Sequence, residues 1–191
     1  MSNRYVAFLR GINVGGRRSV KMDALNAAFT AMGFTEVATL IASGNVVFTA
    51  PESANKPADA HSSTQAEVAV TKTVEDGLEQ TFGFRIHTML RTLADVRAMI
   101  ESDPFQGIEV RKETRRYVTL LATPATSTLS LPHVAMDGDY RLLARTDREV
   151  FSVLTLNPDR KSVDAMSILE KEYGKHVTTR NWNTILKLPK A

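Results

Sequence analysis

The sequence predicts an α+β protein of two subdomains, the first with a ferredoxin-like β-α-β-β-α-β order. Three observations carry this. The first ~90 residues alternate short apolar runs with amphipathic stretches in the order of the split βαβ motif. The remainder repeats a strand and helix mixture with a different order. At 191 residues, with 43% hydrophobic side chains and no cysteine, the chain can bury a core without disulfide or thiolate–metal support.

Each element has a local reason. Residues 5–9 are a short apolar run suited to a buried strand. Residues 11–18 follow as a glycine-rich loop. Met22, Leu25, Ala28, Phe29 and Met32 then recur at spacings of three and four, one face of a helix, and Gly33 ends it. Residues 37–41 and 46–48 read as strands joined by ASGN at 42–45, a turn by composition. Residues 51–67, rich in Ala, Ser and Pro, read as a mobile loop. Val70, Val74, Leu78 and Phe82 define the second helix, and residues 85–90 the fourth strand.

A boundary at residue 92 divides the chain into subdomains 1–92 and 93–191. In the second, Leu93, Val96, Met99 and Ile100 mark a helix that stops at Asp103 and Pro104. Residues 117–122 form a strand, 123–138 a loop, and 140–144 with 150–154 a hairpin. Val163, Met166, Ile168, Leu169 and Tyr173 give a last helix, and residues 184–188 a closing strand. No stretch approaches the ~20 apolar residues of a membrane span. No signal-peptide pattern opens the chain, and the expected location is cytoplasmic.

Charge is unevenly placed. Residues 1–22 hold Arg4, Arg10, Arg17, Arg18 and Lys21 without an acid, and residues 175–191 hold Lys175, Arg180, Lys187 and Lys190 without an acid. With a net charge of only +3, the middle is acidic. Two basic ends fit either solvated termini or one surface that meets an anion.

The loop at 11–18 is the most informative feature. Gly11, Gly15 and Gly16 let the backbone turn sharply and come close to a ligand. Backbone N–H groups there, ahead of a helix N-terminus, can cradle an anion, and Arg17, Arg18 and Lys21 add charge. The spacing nearly fits a P-loop, but Arg17 and Arg18 stand where Lys and Ser or Thr belong, which excludes that nucleotide-binding mode. Arg10 and Asn13 sit at the end of a strand, where open α/β sheets bind ligands. Ser43 and Asn45 lie in the hairpin turn. The stretch TTRNWNT at 178–184 offers Arg180, Asn181 and Asn183 as donors and Trp182 as a stacking face or a core anchor.

Catalytic patterns are poor. His61, His87, His133 and His176 are scattered, without metal-ligand spacing, and Asp137 and Asp139 flank Gly138 in a turn. No catalytic residue, metal or cofactor is assigned. The β-α-β-β-α-β order is also that of the RNA-recognition motif, but its aromatic signature is missing.

The strings VAFLRGINVGG (6–16), SGNVVF (43–48) and TTRNWNT (178–184) closely resemble the signature stretches of the bacterial DUF1697 proteins. Lys21 with Met22, and DPF at 103–105, agree with it. The resemblance implies two α+β subdomains, the first ferredoxin-like, and no established reaction. The chain departs at 157–162 (NPDRKS), where the family pattern places glycines, and the 51–67 loop reads as a local elaboration.

The expected site is a basic, glycine-rich loop cluster for a small anionic or phosphate-containing ligand. Its residues are Arg10, Asn13, Gly15, Gly16, Arg17, Lys21, Ser43, Asn45, Arg180, Asn181, Trp182 and Asn183. Two alternatives are an RNA-associated binding protein and a metal-independent enzyme that uses Arg, Asn and Ser donors to stabilise charge. A purely structural or protein-interaction role is a further alternative.

Overall fold

The structure, a computed structural model, describes residues 4–15, 19–42, 44–51, 63–135, 138–159 and 164–191. The chain divides into two compact units. One comprises Met1–Ala98 with Lys187–Ala191, the other Met99–Leu186.

In the first unit the order is β1 (Arg4–Leu9), α1 (Met22–Ala31), β2 (Thr35–Leu40), β3 (Asn45–Thr49), α2 (Ser63–Phe82), β4 (Thr88–Thr92) and α3 (Leu93–Glu101), whose last turn runs into the second unit. The strands form one sheet in the order β2-β3-β1-β4, and every neighbouring pair is antiparallel. Alternation on β1 sends Tyr5, Ala7 and Leu9 into one core with Val46 and Phe48 of β3, Leu25 and Phe29 of α1, and Val70, Val74 and Leu78 of α2. Phe48 is its centre, with ring centroids 4.6 Å from Phe34 and 5.1 Å from Phe29. On the other face Val6, Phe8, Val47 and Met89 are equally buried. Arg4 closes the far end of the sheet, donating to Glu36 at 2.6 Å and to the Ala191 carbonyl at 2.8 Å.

The second unit carries β5 (Thr114–Leu121), β6 (His133–Ala135), β7 (Tyr140–Arg145), β8 (Glu149–Thr155), α4 (Ala165–Tyr173), β9 (Val177–Asn181) and α5 (Trp182–Ile185). Its antiparallel sheet has the order β6-β7-β8-β5-β9. Leu121, Leu142, Val150, Leu154 and Val177 pack with Leu169 of α4. Thr119 and Thr179, directly opposite across β5 and β9, join hydroxyls at 2.8 Å. A second aromatic cluster sets Trp182 edge-on to Phe105 at 5.0 Å and to Phe151 at 6.2 Å.

The structure corrects several expected elements. The last strand is Val177–Asn181, and residues 184–188 are not strand. Asn181 accepts from the Asn183 backbone N–H at 2.9 Å, so it caps a helix and ends the strand. The helix α2 begins at Ser63, so residues 63–67 are helical, because the Val70–Val74–Leu78 face extends back through Ala66. Residues 52–62 of the expected loop lie outside the described residues, as does Val163. The fourth strand starts at Thr88, since Arg85 is held instead by Glu75 (2.8 Å), Asp76 (2.7 Å) and Glu79 (2.9 Å) of α2. A short strand, β6, lies within the expected 123–138 loop.

Two predictions follow from the packing. Gly44 has φ +75°, and a Cβ there would stand 2.7 Å from Ile12 Cδ1 and 3.0 Å from Leu9 Cβ. Gly44→Ala is expected to lose about 2–4 kcal/mol in urea denaturation, combining left-handed strain with overpacking. Gly83→Ala, at φ +78° with nothing within 4 Å, should lose only the strain part, about 1–2 kcal/mol. Equal losses would contradict the packing account. Burial pushes the Tyr140 phenol up to about 12, and a hydrogen bond with the Ser152 hydroxyl pulls the other way. The unfolded chain ionises this tyrosine near pH 10, so stability should be full below pH 10 and fall as pH rises toward 12. Tyr140→Phe should flatten that fall, read by thermal denaturation across pH 9–12.

Candidate functional site

The edge of the first sheet where β1 ends and β3 and β4 begin gathers most of the sequence-predicted residues of the first unit. The Leu9 N–H donates to the Gly44 carbonyl and the Arg10 N–H to the His87 carbonyl, both at 2.8 Å. These bonds carry the sheet one residue past β1 and set Arg10 and His87 as cross-strand neighbours. Arg10 is half-buried there.

Beyond Arg10 the backbone alternates. Gly11 (φ 70°), Asn13 (φ 56°) and Gly15 (φ 62°) are left-handed, whereas Ile12 and Val14 are not among the positive-φ residues. Alternation of this kind turns successive N–H groups toward one concave side, the geometry of an anion-binding nest. Glycine meets the demand at two positions without steric cost, and asparagine is the side chain that best tolerates it at the third. The middle of the loop is pinned. Ile12 is buried beneath it, and Asn13 Nδ2 donates to the Val20 carbonyl at 2.9 Å and to the Ala42 carbonyl at 2.8 Å. Asn13 Oδ1 accepts from the Val20 N–H at 2.8 Å. One amide thus joins the loop to the entry of α1 and to the β2–β3 turn, using both its donor hydrogens and its acceptor. Asn45 is fully buried and donates to the Leu40 carbonyl at 3.0 Å, which closes the same turn. Lys21 is exposed just before α1, its carbonyl accepting from the Leu25 N–H at 3.0 Å.

Below this edge α2 contributes a charged group that local sequence patterns missed. Glu75 Oε1 accepts from the Thr88 N–H at 2.7 Å, and Glu75 Oε2 pairs with Arg85 at 2.8 Å. His87 Nδ1 stands 3.8 Å from Glu75 Oε1. Asp76 is held below the usual carboxylate range first by its bond from Lys72 and then by that from Arg85. The bonds to Asp76 and Glu79 in turn raise the Arg85 guanidinium further. The signal was absent because Glu75 and His87 are 12 residues apart on different elements, with no spacing rule to link them.

The remaining residues belong to the second unit. Arg180 is buried, on the face of β9 that carries Val118 and Phe151 across the sheet. Its Nη1 donates to Thr178 Oγ1 at 2.8 Å and to the Thr179 carbonyl at 2.9 Å. Burial lowers its pKa to about 10. Asn181 is spent on capping α5, Asn183 is exposed in its first turn, and Trp182 is a buried aromatic anchor rather than a stacking face. Gly16, Arg17, Ser43, His61 and Asp137 lie outside the described residues. Among the described residues no group of three His, Asp or Glu side chains could hold a metal ion, and no helix is long and apolar enough to cross a membrane.

These features define a mixed α/β protein with two antiparallel sheets and a loop-built edge on the first. Residues 2–151 match the family described as Protein of unknown function (DUF1697), and the chain belongs to that family. Among solved structures the chain is similar to the conserved bacterial protein SP0830 from Streptococcus pneumoniae. The two share 21% identity with a TM-score of 0.62, over 100% of this chain and 98% of that one. At that identity the likeness speaks for the fold alone. No curated protein matches the chain.

Removing the Asn13 amide strips partners from three backbone groups. Asn13→Ala is expected to lose about 2 kcal/mol. Asn13→Asp, which keeps the acceptor but sets a carboxylate against two carbonyls, should lose at least as much in urea denaturation. A neutral Asn13→Asp would show that the amide's two donor bonds are dispensable.

Proposed function

We propose that the chain binds a small anionic or phosphate-containing ligand at the β1 edge of the first unit. The observation that supports this best is the alternation of φ over residues 11–15 directly after Arg10, in a segment with no acidic side chain from residue 1 to 22. Oriented N–H groups supply the geometry and Arg10 and Lys21 the charge. Under this reading the first unit is a ferredoxin-like subdomain, supported by the strand order β2-β3-β1-β4 with antiparallel neighbours throughout. The second unit is the smaller α+β subdomain, and the protein works in the cytoplasm. Arg180 serves by holding positive charge within the second unit.

A nucleic-acid role would use the same phosphate chemistry, but the aromatics of the central strands give it no stacking platform. Tyr5, Phe8 and Phe48 are all buried. A second reading, a metal-independent enzyme, is favoured by one observation: His87 lies beside Arg10 in the sheet with a fixed carboxylate, Glu75, 3.8 Å from its ring. An imidazole with a carboxylate close by supplies the two groups that proton transfer uses.

The test is thermal denaturation and calorimetry with inorganic phosphate, AMP, citrate and a short single-stranded RNA. A ligand present at 100 times its Kd should raise the melting temperature by about 5–10 °C. Arg10→Ala should abolish that rise. A rise confined to RNA with a steep salt dependence would transfer the reading to nucleic acid. No response to any probe, or a response that Arg10→Ala leaves unchanged, would overturn it. The enzyme reading adds one expectation. His87→Gln should keep phosphate binding yet lose any turnover found in a panel of phosphate and carboxylate esters.

A further inference from the structure

One face of the second unit's sheet packs on α4, where Tyr117, Leu121, Tyr140 and Leu154 meet Leu169. Alternation sends Arg116 of β5, Arg141 of β7 and Val153 of β8 to the opposite face. There Val153 pairs directly with Arg116 on one side and with Arg141 on the other. Two strand spacings separate the arginines, so their Cα atoms stand about 10 Å apart, with both side chains rising on the same side of the buried Val153.

Both arginines are half-buried. Arg116 Cζ lies 5.6 Å from the centre of the Phe105 ring, and Phe105 is itself set edge-on to Trp182 at 5.0 Å. Among the described residues neither guanidinium has a hydrogen bond or an ion pair, whereas Arg4, Arg85 and Arg145 each donate to a carboxylate or a carbonyl. Alternation gives this face two acids, Asp139 two residues before Arg141 and Glu149 four residues before Val153, and neither pairs with Arg116 or Arg141. Val134, directly opposite Arg141 on β6, is 57% exposed, so the face is open at that end.

A half-buried guanidinium has given up water and ordinarily regains a counter-ion. Two on neighbouring positions of one sheet face also repel each other. An anion spanning both offsets the two costs. Each guanidinium fork takes a pair of oxygens side by side. A lone carboxylate is used up by one fork, and Arg116 is held over Phe105 rather than turned toward Arg141. Two linked phosphoryl groups offer one oxygen pair to each fork. We propose that Arg116 and Arg141 form a site for the diphosphate group of a small molecule, one phosphoryl on each guanidinium above Val153. The site lies wholly within the second unit and is independent of the β1-edge reading.

The test is calorimetry of inorganic pyrophosphate with the full chain carrying Arg10→Ala, so that the β1 edge does not contribute. Pyrophosphate should bind this protein at least tenfold more tightly than inorganic phosphate. Adding Arg116→Gln or Arg141→Gln should each weaken it about tenfold or more, the loss expected for one charge-assisted fork. Arg141→Lys, which keeps the charge and the stem, should still weaken it several-fold, because an ammonium has no fork. Melting temperatures within about 2 °C of the parent show that the variants remain folded. No pyrophosphate binding in the Arg10→Ala chain would overturn the proposal. So would phosphate bound as tightly as pyrophosphate, or affinity unchanged in folded Arg116→Gln and Arg141→Gln variants. A wild-type chain that ignores phosphate and AMP would overturn the β1-edge reading and leave these expectations standing.

Discussion

The geometry of the loop-built edge of the first unit's sheet rests on the Asn13 side chain. Its amide holds three backbone groups from two other segments, Val20 and Ala42. Without it the glycine loop would be a flexible connection between β1 and α1. With it, the loop is fixed against the entry of a helix and the turn of a hairpin. Asn13 sits at φ 56° and two glycines flank it at similar values, so the bonds offset a backbone conformation that few side chains accept. The tightness recurs at Gly44, where a methyl group would strike Ile12 beneath the loop. The family motif is therefore first a construction kit for a backbone shape. Arg10 and Lys21 give that shape its charge.

Much of this was legible in the sequence. Tyr5 through Leu9, the α1 face and the turn before Asn45 declare themselves through period-two and period-3.6 burial and through glycine and asparagine chemistry. Arg10, Asn13 and Gly15 drew attention in the sequence because a glycine-rich loop after a strand lets the backbone turn sharply. Their division of labour was not. Asn13 and Asn45 read as ligand donors, yet both turn inward to backbone carbonyls. The partners lie up to 29 residues away in sequence.

The C-terminal stretch shows the reverse failure. Residues 178–184 read as a set of donors around a Trp182 that is a stacking face or a core anchor; β9 buries Arg180, and the α5 start buries Trp182 as an anchor against Phe105 and Phe151. A strand that turns directly into a helix is marked only by Asn181, whose capping role competes with its reading as a ligand donor. The Glu75–His87 approach had no sequence signal, because it depends on a helix meeting a sheet and no local spacing encodes that.

The most direct measurement is an amide NMR titration of the full chain with inorganic phosphate. The account predicts saturable shifts concentrated on the N–H groups of residues 11–15 and on Arg10, lost in Arg10→Ala while the rest of the spectrum is preserved. Shifts spread over the basic surface without saturation, or none at the 11–15 loop, would contradict it.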